Sequence, residues 1–379
     1  MGFVLESADL AASGFRTAPI ERMSALIEAH IAEGRYPGAQ VAIARHNKLV
    51  FTRNYGLARI APAQPARDET VWRLYSNTKV ITAAAIWLLV EDGRLSFNDK
   101  VSEHVPEFAR NGKRDITILQ VITHQGGFPN APVVADAAWE DHQLLRRLVC
   151  DYTLEWTPGT RLHYHTSAAH WVLAIVIEAI AKMDFRDFIR TRVIEPLGLA
   201  DELHIGMGNT DQKKCAEMYE PSPDGKSQVL IAAENTEAFR KSGIPSGGGF
   251  ATARAMAAFY QMMLAGGTLN GTRLISPRMV QYVTRNFTGE RQDNGMGDVA
   301  MHRGLGPHSR GTSEVIRGLG SLAHPGTFGH GGVGSSYCWA DPDSGTSFAY
   351  ITNSKQPDPW HSRRLELISN CVHAAIEEV

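Results

Sequence analysis

The run from Val80 to Val90, VITAAAIWLLV, is the feature that most limits how this chain can fold. It is apolar almost all the way round at helical spacing, so a helix built from it has no solvent face. It is too short to span a bilayer, which takes ~18 apolar residues or more. The run therefore predicts a helix enclosed by protein at the centre of a sizeable core. Gly93 follows in a C-capping position. At the front edge stand Ser76 and Lys79, and lysine is rarely taken into a core without a reason.

A chain of 379 residues is long enough to surround such a helix with one large domain or two ordinary ones. Its 43% hydrophobic and 21% charged residues are those of a soluble globular protein. The formal charge of -2 comes with no Lys/Arg cluster and no basic amphipathic helix, so neither nucleic acid nor a membrane is expected as a partner. The opening MGFVLESADLAASGF carries Glu6 and Asp9 and does not read as a secretory signal. Cys150, Cys215, Cys338 and Cys371 are far apart with no CxxC pair, which suits thiols in a reducing compartment. A cytoplasmic location is the expectation, although a chain whose signal had been removed would read alike.

The two ends of the chain mirror each other. IERMSALIEAHIAEG reads as a helix ending at Gly34, and AQVAIARHNKLVFTRNYGLAR as a hairpin turning at His46-Asn47-Lys48. Near the C-terminus, SSYCWADPDSGTSFAYITN is a second hairpin, and RRLELISNCVHAAIEEV a closing helix. Short turns imply antiparallel pairing, so both ends could share one sheet. Residues 76–240 are mostly helical in pattern; HWVLAIVIEAIAKMDFRDFIRTRVIEPLG is the clearest case, interrupted at Lys182-Met183-Asp184. The expected organisation is a sheet domain from residues 1–75 and 241–379, with a helical domain, 76–240, inserted between. A cleft between such parts is the default place for a site.

Residues three apart share a helix face, so Ser76 and Lys79 can touch. Burial disfavours the ammonium, and a lysine tuned in this way can take a serine's proton. A helix N-terminus also offers free N–H groups to an oxyanion. The competing reading is plain: Ser76 as an N-cap and Lys79 reaching solvent. About one S-x-x-K match is expected by chance in a chain of this length.

Other candidates stand further along. RLHYHTSAAHW places Tyr164, a candidate proton relay, ahead of a helix. His163, His165 and His170 nearby lack an HExxH or Cys/His pattern, so no metal is assigned. TFGHGGVGSSYCW opens a strand at Gly331 and Gly332, which suits close approach of a ligand, or a bulge. SGGGFATARAMAAFYQ lacks a phosphate-loop pattern and reads as a structural turn, so no cofactor is assigned. No GxSxG occurs.

The order of these pieces, Ser76-x-x-Lys79, then Tyr164, then His330-Gly331-Gly332, resembles the three-motif layout of the serine β-lactamase and penicillin-binding-protein superfamily. It is closer still to class C β-lactamases and family VIII carboxylesterases. EDGRLSFNDKVSEHVPEF, ITILQVITHQGGFP, WTPGTRLHYHTSAAHWVLAIVIEAI and FGHGGVGSSYCWADPDSG are similar to family segments in the same order, from about residue 20 onward. The resemblance implies an α+β fold: an antiparallel sheet flanked by helices, with a mostly helical second domain. It implies Ser76 as nucleophile and Lys79 with Tyr164 as the proton-transfer pair. It implies an oxyanion hole at the N–H groups of Ser76 and Val333. His330, Gly331, Gly332 and Thr166 would contact substrate.

Two departures matter. The family's Tyr-x-Asn is Tyr164-His165-Thr166 here, and its Lys-Thr-Gly is His330-Gly331-Gly332. A histidine largely neutral near pH 7 replaces a fixed cation, which weakens recognition of an anionic β-lactam or peptide end. The expected activity is thus a serine carboxylesterase acting through an acyl-enzyme on short or medium acyl esters. The alternatives are a β-lactamase or D-aminopeptidase-type amide hydrolase, needing a cation such as Arg303 or Arg310, an acyltransferase, or a silent binding protein. The Gly- and His-rich residues 291–329 are expected as an irregular loop near the site, either lid or wall.

Overall fold

In the computed structural model, which describes residues 3–208 and 212–377, helix α1 (Thr17–Ala32) leads into strands β1 (Gly38–Arg45) and β2 (Lys48–Arg59). His46 and Asn47 join the strands at φ 49° and 61°, the backbone of a two-residue hairpin turn. Lys48 already pairs with Arg45, so the turn is one residue shorter than the sequence suggested. The apolar run lies in α2 (Thr78–Glu91). Helices α3 (His142–Cys150), α4 (Ala168–Ala181) and α5 (Ala253–Leu264) follow. Strands β3 (Phe328–Gly332), β4 (Ser336–Asp341) and β5 (Thr346–Thr352) and helix α6 (Trp360–His373) complete the frame.

Both chain ends build one sheet, in the order Glu6–Ser7, β2, β1, β5, β4, β3 and His308–Ser309. All neighbours are antiparallel except Glu6–Ser7, which runs parallel to β2. The seam between the ends is β5 on β1, with Ile351 opposite Gln40. Alternation along the strands decides which layer covers which face. Val41, Ile43, Trp339, Phe348 and Tyr350 share a core with α1 and α6. Ala42, Ala44, Cys338, Ala340 and Ala349 point the other way, into the core with α2, α4 and α5. These small residues let α5 lie close enough for the Gln261 amide to donate to the Ala44 carbonyl and the Ser347 hydroxyl, each at 3.0 Å.

In α2 every residue from Thr78 to Leu89 is buried. Ile81, Ile86, Trp87 and Leu89 are fully enclosed, and each such side chain contributes roughly 1.5–3 kcal/mol on burial. The middle of the chain is helical, but not wholly. Leu203–Ile205 pairs with Gly249–Ala251, which pairs in turn with Trp72–Arg73. This small ribbon ties the helical part to the start of α2 and fixes the backbone two residues before Tyr75. Helix α4 ends where the sequence predicted, with Lys182 left-handed at φ 60°. Among the described residues, no helix is long and apolar enough to cross a membrane.

Candidate active site

Ser76 sits on a single 3-10 turn, Tyr75–Asn77, immediately before α2. Tyr75 holds φ 47°, a left-handed conformation uncommon for a bulky residue. It is kept there by its surroundings: its hydroxyl donates to Glu234, and the Arg73 guanidinium lies 3.9 Å from its ring centre. Such strain persists only where neighbours over-determine it, and it concentrates at functional sites. Here it lifts Ser76 into a cleft.

Lys79 is 1% exposed, and its Nζ has three neighbours. It donates to the carbonyls of Thr166 at 2.8 Å and Ser246 at 3.0 Å, and it stands 3.2 Å from Ser76 Oγ. Two carbonyls take two protons, so the third direction faces the serine. Burial lowers the lysine's pKa; the Tyr164 phenol opposes this and Arg303 adds to it. A neutral amine here keeps both carbonyl bonds and turns its lone pair toward the Ser76 hydroxyl.

Tyr164 comes from the loop before α4, and its ring centre lies 5.1 Å from Lys79 Nζ. Its backbone N–H donates to Asp293 Oδ1 at 2.9 Å. Thr166, next along that loop, is exposed and lines the cleft. His330 on β3 is 2% exposed. Its Nδ1 donates to the Gly331 carbonyl at 2.9 Å, which leaves Nε2 as a bare acceptor with no partner among the described residues. Burial, then the Lys79 charge, push its pKa down to about 3, so it is neutral at ordinary pH.

Gly331 and Gly332 end β3 against the serine turn. A Cβ on Gly332 would stand 2.5 Å from the Leu74 carbonyl oxygen, and one on Gly331 would strike the Tyr337 ring at 2.7 Å. The glycines thus serve packing of the protein on itself, a reason the sequence alone did not supply. Buried Asn77 adds a bond to Ser336 Oγ at 2.8 Å, tying the turn to β4. Among the described residues, neither the Ser76 N–H nor the Val333 N–H has an acceptor within the protein.

These groups face a cavity of about 410 Å³. Ser76, Tyr164, Thr166, His330, Gly331, Gly332 and Val333 all line it, with Lys79 beneath its floor. Ile244, Met296, Tyr337 and Leu365 give it apolar walls. Residues 291–329 form part of the wall, through Met296, His308 and Arg317, and His308–Ser309 extends the main sheet.

The cation expected for an anionic substrate is placed differently from the sequence reading. Arg303 is 2% exposed and bound to fully buried Asp293, so it is not free for a ligand. Arg310 does not line the cavity and bonds the Ser313 carbonyl. Arg317 does line it, donating only to Met296 O and Met301 Sδ, each at 3.3 Å, with no carboxylate in ion-pair range among the described residues. Of the three neighbouring histidines, His165 is fixed by the His163 carbonyl at 2.6 Å and by the Phe128 N–H at 3.2 Å, and His170 is buried in α4.

A family model described as Beta-lactamase matches residues 23–370. The chain belongs to the β-lactamase family. This β-lactamase-family hydrolase is 28% identical over 347 residues to the esterase/beta-lactamase LipL of Mycobacterium tuberculosis, covering 84% of this chain and 77% of that one. Its fold is similar to a crystal structure of a family VIII carboxylesterase, with TM-score 0.80, 25% identity, and 94% of this chain and 99% of that one covered. A penicillin-binding protein homologue from Caulobacter crescentus has the same fold, with TM-score 0.81, 24% identity and 98% of both chains covered. The α+β architecture inferred from the motifs is thus that of its structural neighbours.

Several groups of this β-lactamase-family site were missed in the sequence. Asp293, Ser246 and His308 lie far from the motifs and reach the site only through tertiary packing. His124 was inside a family-like segment, yet nothing in its spacing told that its ring would lie 4.7 Å from that of Tyr164.

Proposed function

We propose that the chain is a serine carboxylesterase acting on short or medium acyl esters. The observation that carries this reading is Lys79 Nζ, buried, held by two carbonyls and 3.2 Å from Ser76 Oγ. Lys79 takes the Ser76 proton as Oγ attacks the ester carbonyl. The oxyanion is received by the N–H groups of Ser76 and Val333. The proton passes through Lys79 and Tyr164 to the departing alcohol, leaving acyl-Ser76. Water then attacks the acyl carbonyl and gives a proton to the same pair, which returns it to Ser76 Oγ as the acid leaves. How the proton is shared belongs to the pair as a unit.

The preference for neutral esters is supported by the apolar walls and by the neutral His330. His330, Gly331, Gly332 and Thr166 contact the bound ester. An alcohol or amine in place of water would make the same site an acyltransferase. The four cysteines, far apart in the sequence and without a CxxC pair, favour the cytoplasm as the place of action.

A second reading, hydrolysis of β-lactams or D-amino acid amides, is favoured by Arg317, a cavity guanidinium with no carboxylate in ion-pair range among the described residues, although Asp358 of the same cavity feels its charge. Nitrocefin turnover that vanishes in Ser76→Ala would speak for it.

The test is the intact mass of wild type and Ser76→Ala after p-nitrophenyl butyrate and, separately, a fluorophosphonate. A serine-dependent adduct with ester turnover is expected. A folded wild type that gains no mass from either reagent would remove the enzyme reading.

A further inference from the structure

Behind Tyr164 lies a buried ion pair that neither nucleophilic attack nor oxyanion binding uses. Arg303 donates from Nε to Asp293 Oδ2 at 3.2 Å, and Nη2 reaches the same oxygen. The two side chains are 2% and 0% exposed. A buried pair of this kind adds little net stability, because desolvation offsets the Coulomb attraction. Its position is more informative. The other oxygen of Asp293 accepts the Tyr164 and Gly295 N–H groups, each at 2.9 Å. The Arg303 guanidinium carbon sits 4.8 Å from the Tyr164 ring centre. Its Nη1 donates to His308 Nε2 at 2.8 Å, and the His308 ring lies 4.1 Å from that of His330.

We propose that Asp293 and Arg303 form a positioning pair for proton transfer: Asp293 fixes the Tyr164 backbone, and Arg303 supplies the permanent positive charge against Tyr164 and Lys79. The inference rests on the reading of Ser76, Lys79 and Tyr164 given above.

The groups around Lys79 support it. From the Tyr164 loop come the phenol and the Thr166 carbonyl; from the segment before Gly247 comes the Ser246 carbonyl. His124, His170 on α4, His308 and His330 on β3 all act on the same region, and burial pushes each below its ordinary pKa. They are therefore neutral. Among the described residues, only Lys79 and Arg303 place a cation over the Tyr164 ring. A fixed guanidinium favours the free amine of Lys79, the form that accepts the serine proton.

The experiment is the pH dependence of fluorophosphonate labelling of Ser76 and of kcat/KM for p-nitrophenyl butyrate. It compares wild type, Arg303→Lys and the double variant Asp293→Asn/Arg303→Met. Asparagine still accepts the Tyr164 N–H, so the double variant loses both charges of the pair but not that bond. Both rates should rise with pH as Lys79 loses its proton. In the double variant the midpoint should still move to higher pH, by less than about one unit, because loss of the Asp293 carboxylate offsets part of what loss of the guanidinium does to Lys79. Arg303→Lys should keep the wild-type midpoint. If the double variant does not fold, Arg303→Gln, which retains hydrogen bonds without charge, decides the matter. A folded uncharged variant with the wild-type midpoint overturns the proposal, whatever its overall rate. If Ser76→Ala or Lys79→Ala is labelled as fast as wild type, the reading of the site itself fails. Dependence on both with an unmoved midpoint sinks only the positioning pair.

Discussion

Gly332 is pressed against Leu74: a Cβ on the glycine would stand 2.5 Å from the Leu74 carbonyl oxygen and 2.5 Å from Ser336 Oγ. The last residue of β3 and the strand leading into Ser76 thus touch backbone to backbone. Gly332→Ala forces them apart. Overpacking of this kind costs about 1–3 kcal/mol. The variant should melt lower and lose ester turnover together, because the Val333 N–H moves with the strand. Thermal melting and kcat on the same preparation check this; a variant with unchanged kcat would separate the glycine from the oxyanion site.

Lys79→Ala and Tyr164→Phe should each reduce ester turnover by about two orders of magnitude or more, the range for acid–base groups. Lys79→Ala also frees the carbonyls of Thr166 and Ser246, so melting must be measured beside rate. Near-normal turnover in either variant would take that residue out of the proton path.

His330 does not titrate near neutrality, since its pKa lies at about 3. The sign follows: above pH 5 the ring is neutral in the folded protein, so its removal cannot shift the pH profile there. His330→Ala should instead change the ranking of esters while leaving the pH profile from 5 to 9 in place. An equal loss with every ester would contradict a role in substrate choice.

Arg317 should matter for charge rather than for turnover itself. A guanidinium–carboxylate bond contributes enough to alter kcat/KM by roughly tenfold. Arg317→Ala is expected to slow p-nitrophenyl hemiglutarate by that factor relative to p-nitrophenyl butyrate. The ratio of the two kcat/KM values is the readout; an unchanged ratio would mean the side chain only completes the wall beside Met296.

The joint between α3, α4 and the chain after Lys182 is expected to respond to pH through His142. His142 Nδ1 lies 2.5 Å from Glu178 and its Nε2 3.3 Å from Asp184, with Arg186 beside it. The Glu178 hydrogen bond raises the pKa of His142 against the opposing effect of burial. A raised folded-state pKa gives stability that is fully present below the unfolded value, ~6.5. That stability fades as pH climbs through the folded value. The melting difference between wild type and His142→Gln should therefore be larger at pH 5.5 than at pH 9. A difference independent of pH would mean His142 acts only as a neutral hydrogen-bonding group.

Much of the frame was legible because it is written in local pattern. The alternation of Val41, Ala42, Ile43 and Ala44 shows which residues face apart, and the run from Val80 to Val90 shows a helix without a wet side. Lys182 gave the end of α4. The approach of Lys79 to Ser76 was legible as a pair of residues at helical spacing. The left-handed Tyr75 was not, because its conformation is imposed by Arg73 and Glu234, the latter far along the chain. Arg303 shows the limit most clearly. As a letter in a Gly- and His-rich segment it could be a ligand for substrate; only packing reveals Asp293, ten residues earlier, already holding it. Gly331 and Gly332 were visible as glycines, but the obstacle that demands them is carried by Leu74, Ser336 and Tyr337.

The seam between β1 and β5 has a consequence for how the molecule comes into being. Gln40 waits for Ile351, and the Gly38 N–H for the Asn353 side chain, 315 residues later. Contacts so distant in sequence form slowly, because a long loop must close before they bring any gain. A nascent chain that has emerged as far as α4 already carries Ser76 and Lys79, yet lacks the strand that braces their turn. Hydrolytic competence should thus arrive late in synthesis, with the last strands. Until then the apolar faces of α2 and α4 are exposed to the cell, and to its chaperones.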